Sequence, residues 1–363
     1  MVNFKALLSG AVQNNASDIH VMEGQTPYFR IRGDLKRVET PPLTHKDMMQ
    51  LIREILPPRL RHDLEEKRGV DSSYQLDNIA RFRVVVYYQD GKLCATLRAI
   101  PLKIPTIDEM KMPEVLKNIS KYHRGMVLVT GVTGSGKSTT LAAMIQEMNM
   151  REAQRLITIE DPIEFRYTNI KSIISQREVG SDVLNFGDAL RQALRSDPDV
   201  ILVGEMRDVE TIRIAIKAAE TGHLLLSTLH TTGAVHTIQR IMGNFPREEH
   251  DLIREQLALN LAAVVTQRLL KTADGRGRCA AQEILLITPT AKKLISNDRA
   301  PDLQSVMQSR EDGMQTMDQG LADLVRNKLV TLEEATKYTN DFYALKRFIA
   351  GIMSSGDAGG ILG

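Results

Sequence analysis

Gly131-Val132-Thr133-Gly134-Ser135-Gly136-Lys137-Ser138 fits the pattern G-x-x-x-x-G-K-[ST], in which glycines let the backbone wind its N–H groups around phosphates. An apolar run, 126–130, precedes it, and Thr139-Thr140-Leu141-Ala142-Ala143-Met144-Ile145 continues as a helical pattern. That helix presents the positive end of its dipole, at Ser138 and Thr139, to the same phosphates. Lys137 is expected to reach the β- and γ-phosphates and the Ser138 hydroxyl to meet Mg2+. The predicted ligand is a nucleoside triphosphate.

Three further residue groups have chemistry that such a ligand needs. Glu160-Asp161-Pro162-Ile163-Glu164 places three carboxylates in five residues after the apolar run 155–159. Nucleotide hydrolysis requires a positioned cation and a deprotonated water, and Glu160, Asp161 or Glu164 suits either job. Glu205 follows the run 200–203 and is expected to hold Mg2+ through water, with Asp197 and Asp199 just upstream. Ser227-Thr228-Leu229-His230-Thr231 ends the run 224–228, so His230 can bond the γ-phosphate or a polarising water. His223 either lines the same region or caps a helix end.

The elements that must position these groups are legible from the pattern. The runs 126–130, 155–159, 200–203 and 224–228 are short, continuously apolar and separated by helical segments, which reads as a parallel sheet covered on both faces. Chemistry in such α/β sheets collects at the carboxyl ends of the strands. Asp208 is placed to cap a helix over 209–221, with Gly222 as its left-handed terminator. Residues 1–100 read as a smaller α+β unit with two hairpins, 29–38 around Gly33-Asp34 and 80–100 around 89–92. A charged helical stretch, 46–67, is broken at Pro57-Pro58. The segment 101–117 opens with Pro101 and Pro105 and reads as an interdomain linker, leaving 118–350 as the nucleotide-binding domain and 351–363 as a flexible Ser/Gly-rich tail. Apolar spacing over 252–270 predicts a buried helix face, and Thr331-Leu332-Glu333-Glu334 a capping box.

Composition excludes several classes. The chain has 363 residues, 42% hydrophobic and 25% charged, and a net charge of +2, so it reads as a globular protein without the basic field of a nonspecific nucleic-acid binder. Two distant cysteines, Cys94 and Cys279, form no C-x-x-C pair and suggest neither zinc nor a disulfide framework. No signal-peptide core and no window of ~20 apolar residues is present, so membrane association is expected through a partner and the setting is expected to be cytoplasmic.

The phosphate loop, Ile159-Glu160-Asp161-Pro162-Ile163-Glu164, Val203-Gly204-Glu205-Met206-Arg207-Asp208 and Ser227-Thr228-Leu229-His230-Thr231 are similar to the Walker A, Asp box, Walker B and His box of the secretion ATPase superfamily that powers type II secretion and type IV pili. Ala16-Ser17-Asp18-Ile19-His20 and Gly313-Met314-Gln315-Thr316-Met317-Asp318-Gln319 resemble its PilT-like retraction branch. The resemblance spans about residues 3–350. It implies a hexameric ring, with an N-terminal PAS-like domain and a C-terminal RecA-like P-loop ATPase domain in each subunit, and with ATP and Mg2+ between domains. It also implies a place at the inner membrane through a platform protein of the pilus machinery. Glu164 takes the role of general base and Glu205 that of Mg2+ partner. Arg81, Arg83 and Arg98 are the matching arginines that would compensate transition-state charge, within the subunit or across to its neighbour; a solvent-facing strand is the alternative for each. Arg195 and Arg207 are further candidates.

The branch motif tied to retraction is Ala-Ile-Arg-x-Leu-Ile-Arg, whereas this chain reads Ala291-Lys292-Lys293-Leu294-Ile295-Ser296. Val132 replaces the usual loop proline, and Thr232 stands where asparagine is common. These departures keep open an accessory, PilU-like motor working beside a second retraction ATPase. An extension-type ATPase would carry a tetracysteine zinc insertion. A nucleic-acid translocase would show basic loops with aromatics for base stacking, yet aromatics make up 4% and tryptophan is absent. Intact Lys137, Ser138, Glu164 and Glu205 argue against a noncatalytic subunit.

Overall fold

The computed structural model describes residues 2–352 apart from 32, 78, 101 and 102; Arg32 of the first hairpin, Pro101 and Leu102 of the linker, and 353–363 of the tail lie outside the described residues. The chain forms two compact units, Met1–Ile104 with Pro162–Arg166, and Pro105–Asp161 with Tyr167–Gly363.

The first unit is built on strands β1 (Ala16–Met22), β2 (Tyr28–Ile31), β3 (Asp34–Arg37), β4 (Gly69–Leu76), β5 (Ala80–Gln89) and β6 (Lys92–Ile100). They pair antiparallel in the order β3-β2-β1-β6-β5-β4. The β5–β6 hairpin turns through Asp90 (φ 50°) and Gly91 (φ 72°), the two positive-φ positions whose twist matches the flanking strands. Alternation puts Phe82, Val84 and Val86 of β5 and Leu93, Ala95 and Leu97 of β6 into the core, packed with Leu51 and Ile52. The charged stretch is two helices, His45–Ile55 and Pro58–Lys67, split at the expected prolines. Thr44 and Asp47 form a reciprocal capping box on the first.

The second unit contains β7 (Gly125–Thr130), β8 (Arg155–Glu160), β9 (Ile173–Glu178), β10 (Val200–Val203), β11 (Leu224–Leu229), β12 (Leu261–Lys271) and β13 (Arg278–Leu286). Their order is β13-β12-β7-β11-β10-β8-β9, parallel throughout except for antiparallel β13. All four predicted strands lie at its centre and are buried on both faces, which is why they read as unbroken apolar runs. Asp208 caps the helix Val209–Glu220 by accepting from the Thr211 N–H, and Gly222 follows at φ 101°. Thr331 caps the short helix Leu332–Thr336 through the Glu334 N–H, but the expected box is only half formed, because the Glu334 carboxylate accepts from the Lys271 N–H and Lys337 Nζ instead.

One predicted element is also corrected. The stretch 252–270 is not one helix: helix His250–Asn260 ends, and β12 begins at Leu261. Val264, Val265 and Thr266 are β-branched, and 263–266 pairs on both sides, with β7 and β13. Periodicity over a short apolar run cannot separate a buried strand from a buried helix, and pairing decided it. Beyond β13, helices Met317–Arg326, Leu332–Thr336 and Phe342–Ile349 form a separate apolar cluster against Leu270 and Cys279.

Candidate nucleotide site

Strand register brings the predicted groups together. Thr130 lies opposite Leu229, Val203 opposite Ser227, and Ile159 opposite Val203. The phosphate loop, Glu160, Gly204-Glu205 and His230 therefore leave adjacent strands at one edge of the sheet, the carboxyl edge where α/β folds bind ligands.

The loop's shape depends on its glycines. Gly131, Gly134 and Gly136 have φ of 142°, 79° and 87°, conformations that side chains disfavour. Gly131 also passes directly over β12: a Cβ there would lie 2.6 Å from Ser135 Oγ and closer still to the Gln267 carbonyl oxygen. Gly136 is the N-cap of helix Lys137–Arg151 and brings no side chain to its first N–H groups. Those donors, with the helix dipole behind them, make a cradle for an anion. Lys137 is buried, and its Nζ donates to the Gly131 and Val132 carbonyls at 2.9 and 3.1 Å. Ser138 is exposed at the first turn, Thr139 half-buried beside it, and Thr133 exposed on the loop. This donor set fits a polyphosphate.

Glu205 stands at the mouth of β10, its side chain only 13% exposed. It pairs with Arg207 at 2.5 Å, and His230 Nε2 lies 3.7 Å from its other carboxylate oxygen. The segment is strapped to β11: Thr228 Oγ1 donates to the Gly204 carbonyl at 2.6 Å, and Ser227 Oγ to that of Val203 at 2.7 Å. Glu205, Arg207 and His230 thus form one cluster. Glu160 is half-buried and accepts from Thr158 Oγ1 (2.6 Å) and Gln176 Nε2 (3.3 Å). Burial, with the Glu160 charge nearby, holds the Tyr167 phenol well above its usual range. Asp161 is exposed. Among the described residues no group of three or more His, Cys, Asp or Glu side chains is arranged to hold a metal by itself, and a cation shared with phosphate oxygens does not require one.

Other candidates lie elsewhere. His223 bonds the Ala218 carbonyl at 3.0 Å at the amino end of β11, so it closes the preceding helix and is remote from the loop. Asp199, at the amino end of β10, accepts from the Arg155 N–H at 2.7 Å. Glu164 belongs to Pro162–Arg166, which packs with the first unit, and is half-buried between buried Ile163 and Phe165.

In that first unit the three arginines share one face of the sheet, since Arg81 and Arg83 are two residues apart on β5 and Arg98 is directly opposite Arg83. Arg81 is buried, unlike a solvent-facing strand residue, and donates from Nε to the Ile163 carbonyl at 3.2 Å and from Nη2 to Ser73 Oγ at 2.6 Å. Arg98 is 68% exposed and pairs with Asp18 at 2.8 Å. Burial opposes the Asp18 charge, but hydrogen bonds from Arg98 and Ser17 outweigh it and hold the carboxyl below its usual range.

Sequence reasoning missed Gln267. It is fully buried on β12, its Nε2 donates to the Ser135 carbonyl at 2.6 Å, and its Oε1 accepts from Thr140 Oγ1 at 2.9 Å, so it braces the loop from beneath. The available signal was a glutamine interrupting an apolar strand.

Comparison with known proteins agrees with this geometry. Residues 2–337 match the family described as Type II/IV secretion system protein. The chain is 47% identical over 330 residues to the type IV pilus retraction ATPase PilT of Pseudomonas aeruginosa, covering 91% of this chain and 96% of that protein. It is 38% identical over 349 residues to the type IV pilus ATPase PilU of the same organism, covering 96% and 91%. The crystal structure of the pilus retraction motor PilT with bound ADP superposes with a TM-score of 0.89 at 41% identity, covering 96% of this chain and all of that one. The chain belongs to the type II/IV secretion system protein family, within its PilT-like branch of pilus retraction ATPases.

Proposed function

We propose that this chain is an ATP-hydrolysing motor of type IV pilus retraction, and hence of twitching motility, working as a homo-hexamer in which hydrolysis drives rotation between domains. The observation that carries the reading is the convergence of a glycine-shaped phosphate cradle, Glu205 and His230 on one sheet edge, in a chain 47% identical to a retraction ATPase.

ATP is assigned to Gly131–Thr139, with Lys137 on the β- and γ-phosphates. Mg2+ would be held by the Ser138 hydroxyl and, through water, by Glu205, with Glu160 or Asp161 as further oxygen donors, and would neutralise charge developing on the phosphates. Glu164 is assigned to take the proton of the attacking water. His230, half-exposed beside Glu205, is assigned a hydrogen bond to the γ-phosphate. Arg81, Arg83 and Arg98 are assigned to compensate transition-state charge. An arginine that acts across a subunit boundary makes hydrolysis depend on ring geometry. We place the hinge in 101–117, between domains 1–100 and 118–350, with 351–363 as a tail.

No helix among the described residues is long and apolar enough to cross a membrane; attachment is assigned to a platform protein at the inner membrane, from the cytoplasmic side. The Lys292-Lys293 pair and the 38% identity to PilU favour one second reading, an accessory motor that works beside a principal retraction ATPase.

ATP turnover per subunit, measured across protein concentrations that span ring assembly, separates them. A steep rise with concentration supports a self-sufficient motor completed between subunits. Negligible turnover throughout supports the accessory reading, and turnover independent of concentration refutes a site shared between subunits.

A further inference from the structure

We propose that Gln267 is a positioning residue of the phosphate loop, and that a buried path from Gln267 through the side chain and main-chain carbonyl of Gln282 to Gln315 couples the order of that loop to the start of helix Met317–Arg326. Three buried glutamines, two on facing strands and Gln315 at an isolated bridge to Ile284, are costly unless their polar groups are matched. Gln267 and Gln282 are directly opposite on β12 and β13, 0% and 1% exposed. Gln267 Nε2 donates to the Ser135 carbonyl at 2.6 Å, while its Oε1 receives Thr140 Oγ1 at 2.9 Å and Gln282 Nε2 at 3.3 Å. The Ser135 carbonyl can only accept, which fixes the orientation of the Gln267 amide.

The chain continues to the C-terminal motif. Gln315 Nε2 donates to the main-chain carbonyl of Gln282 at 2.7 Å, and Gln315 and Ile284 exchange backbone hydrogen bonds at 2.8 and 3.0 Å. Gly320, one turn into the helix, passes so close that a Cβ would lie 2.5 Å from the Gln282 carbonyl oxygen and 2.9 Å from Gln315 Nε2. Thr316 and Gln319 complete a capping box between them. Displacing the Ser135 carbonyl strands a buried donor on Gln267, and that penalty ties the order of the loop to the placement of the Gln267 amide and, through Gln282, to the helix start; Gln282 Oε1 itself has no hydrogen-bond partner among the described residues. A loop held in shape before its ligand arrives binds that ligand without the cost of ordering it.

The coupling half of this inference rests on the nucleotide-binding reading above; the anchoring half does not. The test is hydrogen exchange and ATP kinetics on the full-length chain, with Gln267→Met, close in volume but without a donor. In nucleotide-free protein the variant is expected to speed exchange of the 133–138 amides at least tenfold. It should also raise KM for ATP about tenfold with kcat within about twofold, a split that general destabilisation does not produce. ADP should slow exchange at both 133–138 and 316–320 in the wild type, and only at 133–138 in the variant. Unchanged loop exchange in nucleotide-free Gln267→Met overturns the anchoring. Absent protection at 316–320 in ADP-bound wild type overturns the coupling. A wild type that binds no ADP sinks the nucleotide reading, while the nucleotide-free exchange still decides the role of Gln267. Should Gln267→Met fail to fold, Gln315→Leu breaks only the far link; undiminished ADP protection at 316–320 in that variant refutes the chain.

Discussion

Replacing Gly131 by alanine tests the loop geometry most directly, because two separate penalties meet at that position. Its φ of 142° is a conformation that L side chains rarely adopt, and residues held in such regions carry about 1–3 kcal/mol. The new methyl would also meet Ser135 Oγ at 2.6 Å and overlap the Gln267 carbonyl oxygen. That oxygen belongs to a strand paired with β13 on one side and β7 on the other, so it cannot retreat cheaply, and overpacking of this kind costs about 1–3 kcal/mol. The sum, about 2–6 kcal/mol, is relieved only when the loop abandons its cradle shape, and binding must then restore it. Nucleotide affinity should fall by at least about thirtyfold. Gly134→Ala is the internal control: its φ of 79° is left-handed, but nothing lies within 4 Å of the added carbon, leaving about 1–2 kcal/mol of backbone strain. Titration with a fluorescent ADP analogue, alongside circular dichroism to verify folding, measures both. A folded Gly131→Ala that binds as tightly as Gly134→Ala would refute the account of the loop.

Glu164→Gln is expected to bind ATP while losing hydrolysis, read by binding titration and steady-state phosphate release; normal release would move the base role to Glu205. His230→Ala should slow turnover and leave the melting temperature unchanged, since the imidazole is 49% exposed and its nearest charged partner is Glu205 at 3.7 Å; unaltered turnover would remove it from the mechanism. The folded-state pKa of Asp18 is depressed, so its ion pair with Arg98 contributes stability above the unfolded value near 3.8 and loses it as pH falls through the folded value. Asp18→Asn should therefore unfold more easily than wild type at pH 7, with the gap closing below pH 3.8; denaturant melts over a pH series that keep a constant gap would refute the pairing.

The phosphate loop, the four central strands and the Asp208 cap were legible because their determinants are local: glycines at fixed spacing, continuous apolar runs, and a capping residue three positions before its N–H partner. The break at Pro57-Pro58 and the Asp90-Gly91 turn were local for the same reason. The 252–270 helix failed because Leu261–Lys271 takes its strand conformation from β7 and β13, distant in the chain. Local spacing favoured His230 and left His223 open between the site and a helix cap; strand direction put them at opposite ends of β11.

By itself, then, the sequence determined a nucleotide-binding α/β protein and most of its candidate site, since each box is a contiguous string of residues whose chemistry is written in its own spacing. Only the tertiary structure decided which side chains face one another. It set His230 beside Glu205, buried Arg81 against the Ile163 carbonyl, and set Gln267 beneath the loop from 132 residues away. These contacts join residues far apart in the chain, and they follow from strand register and the packing of the whole sheet.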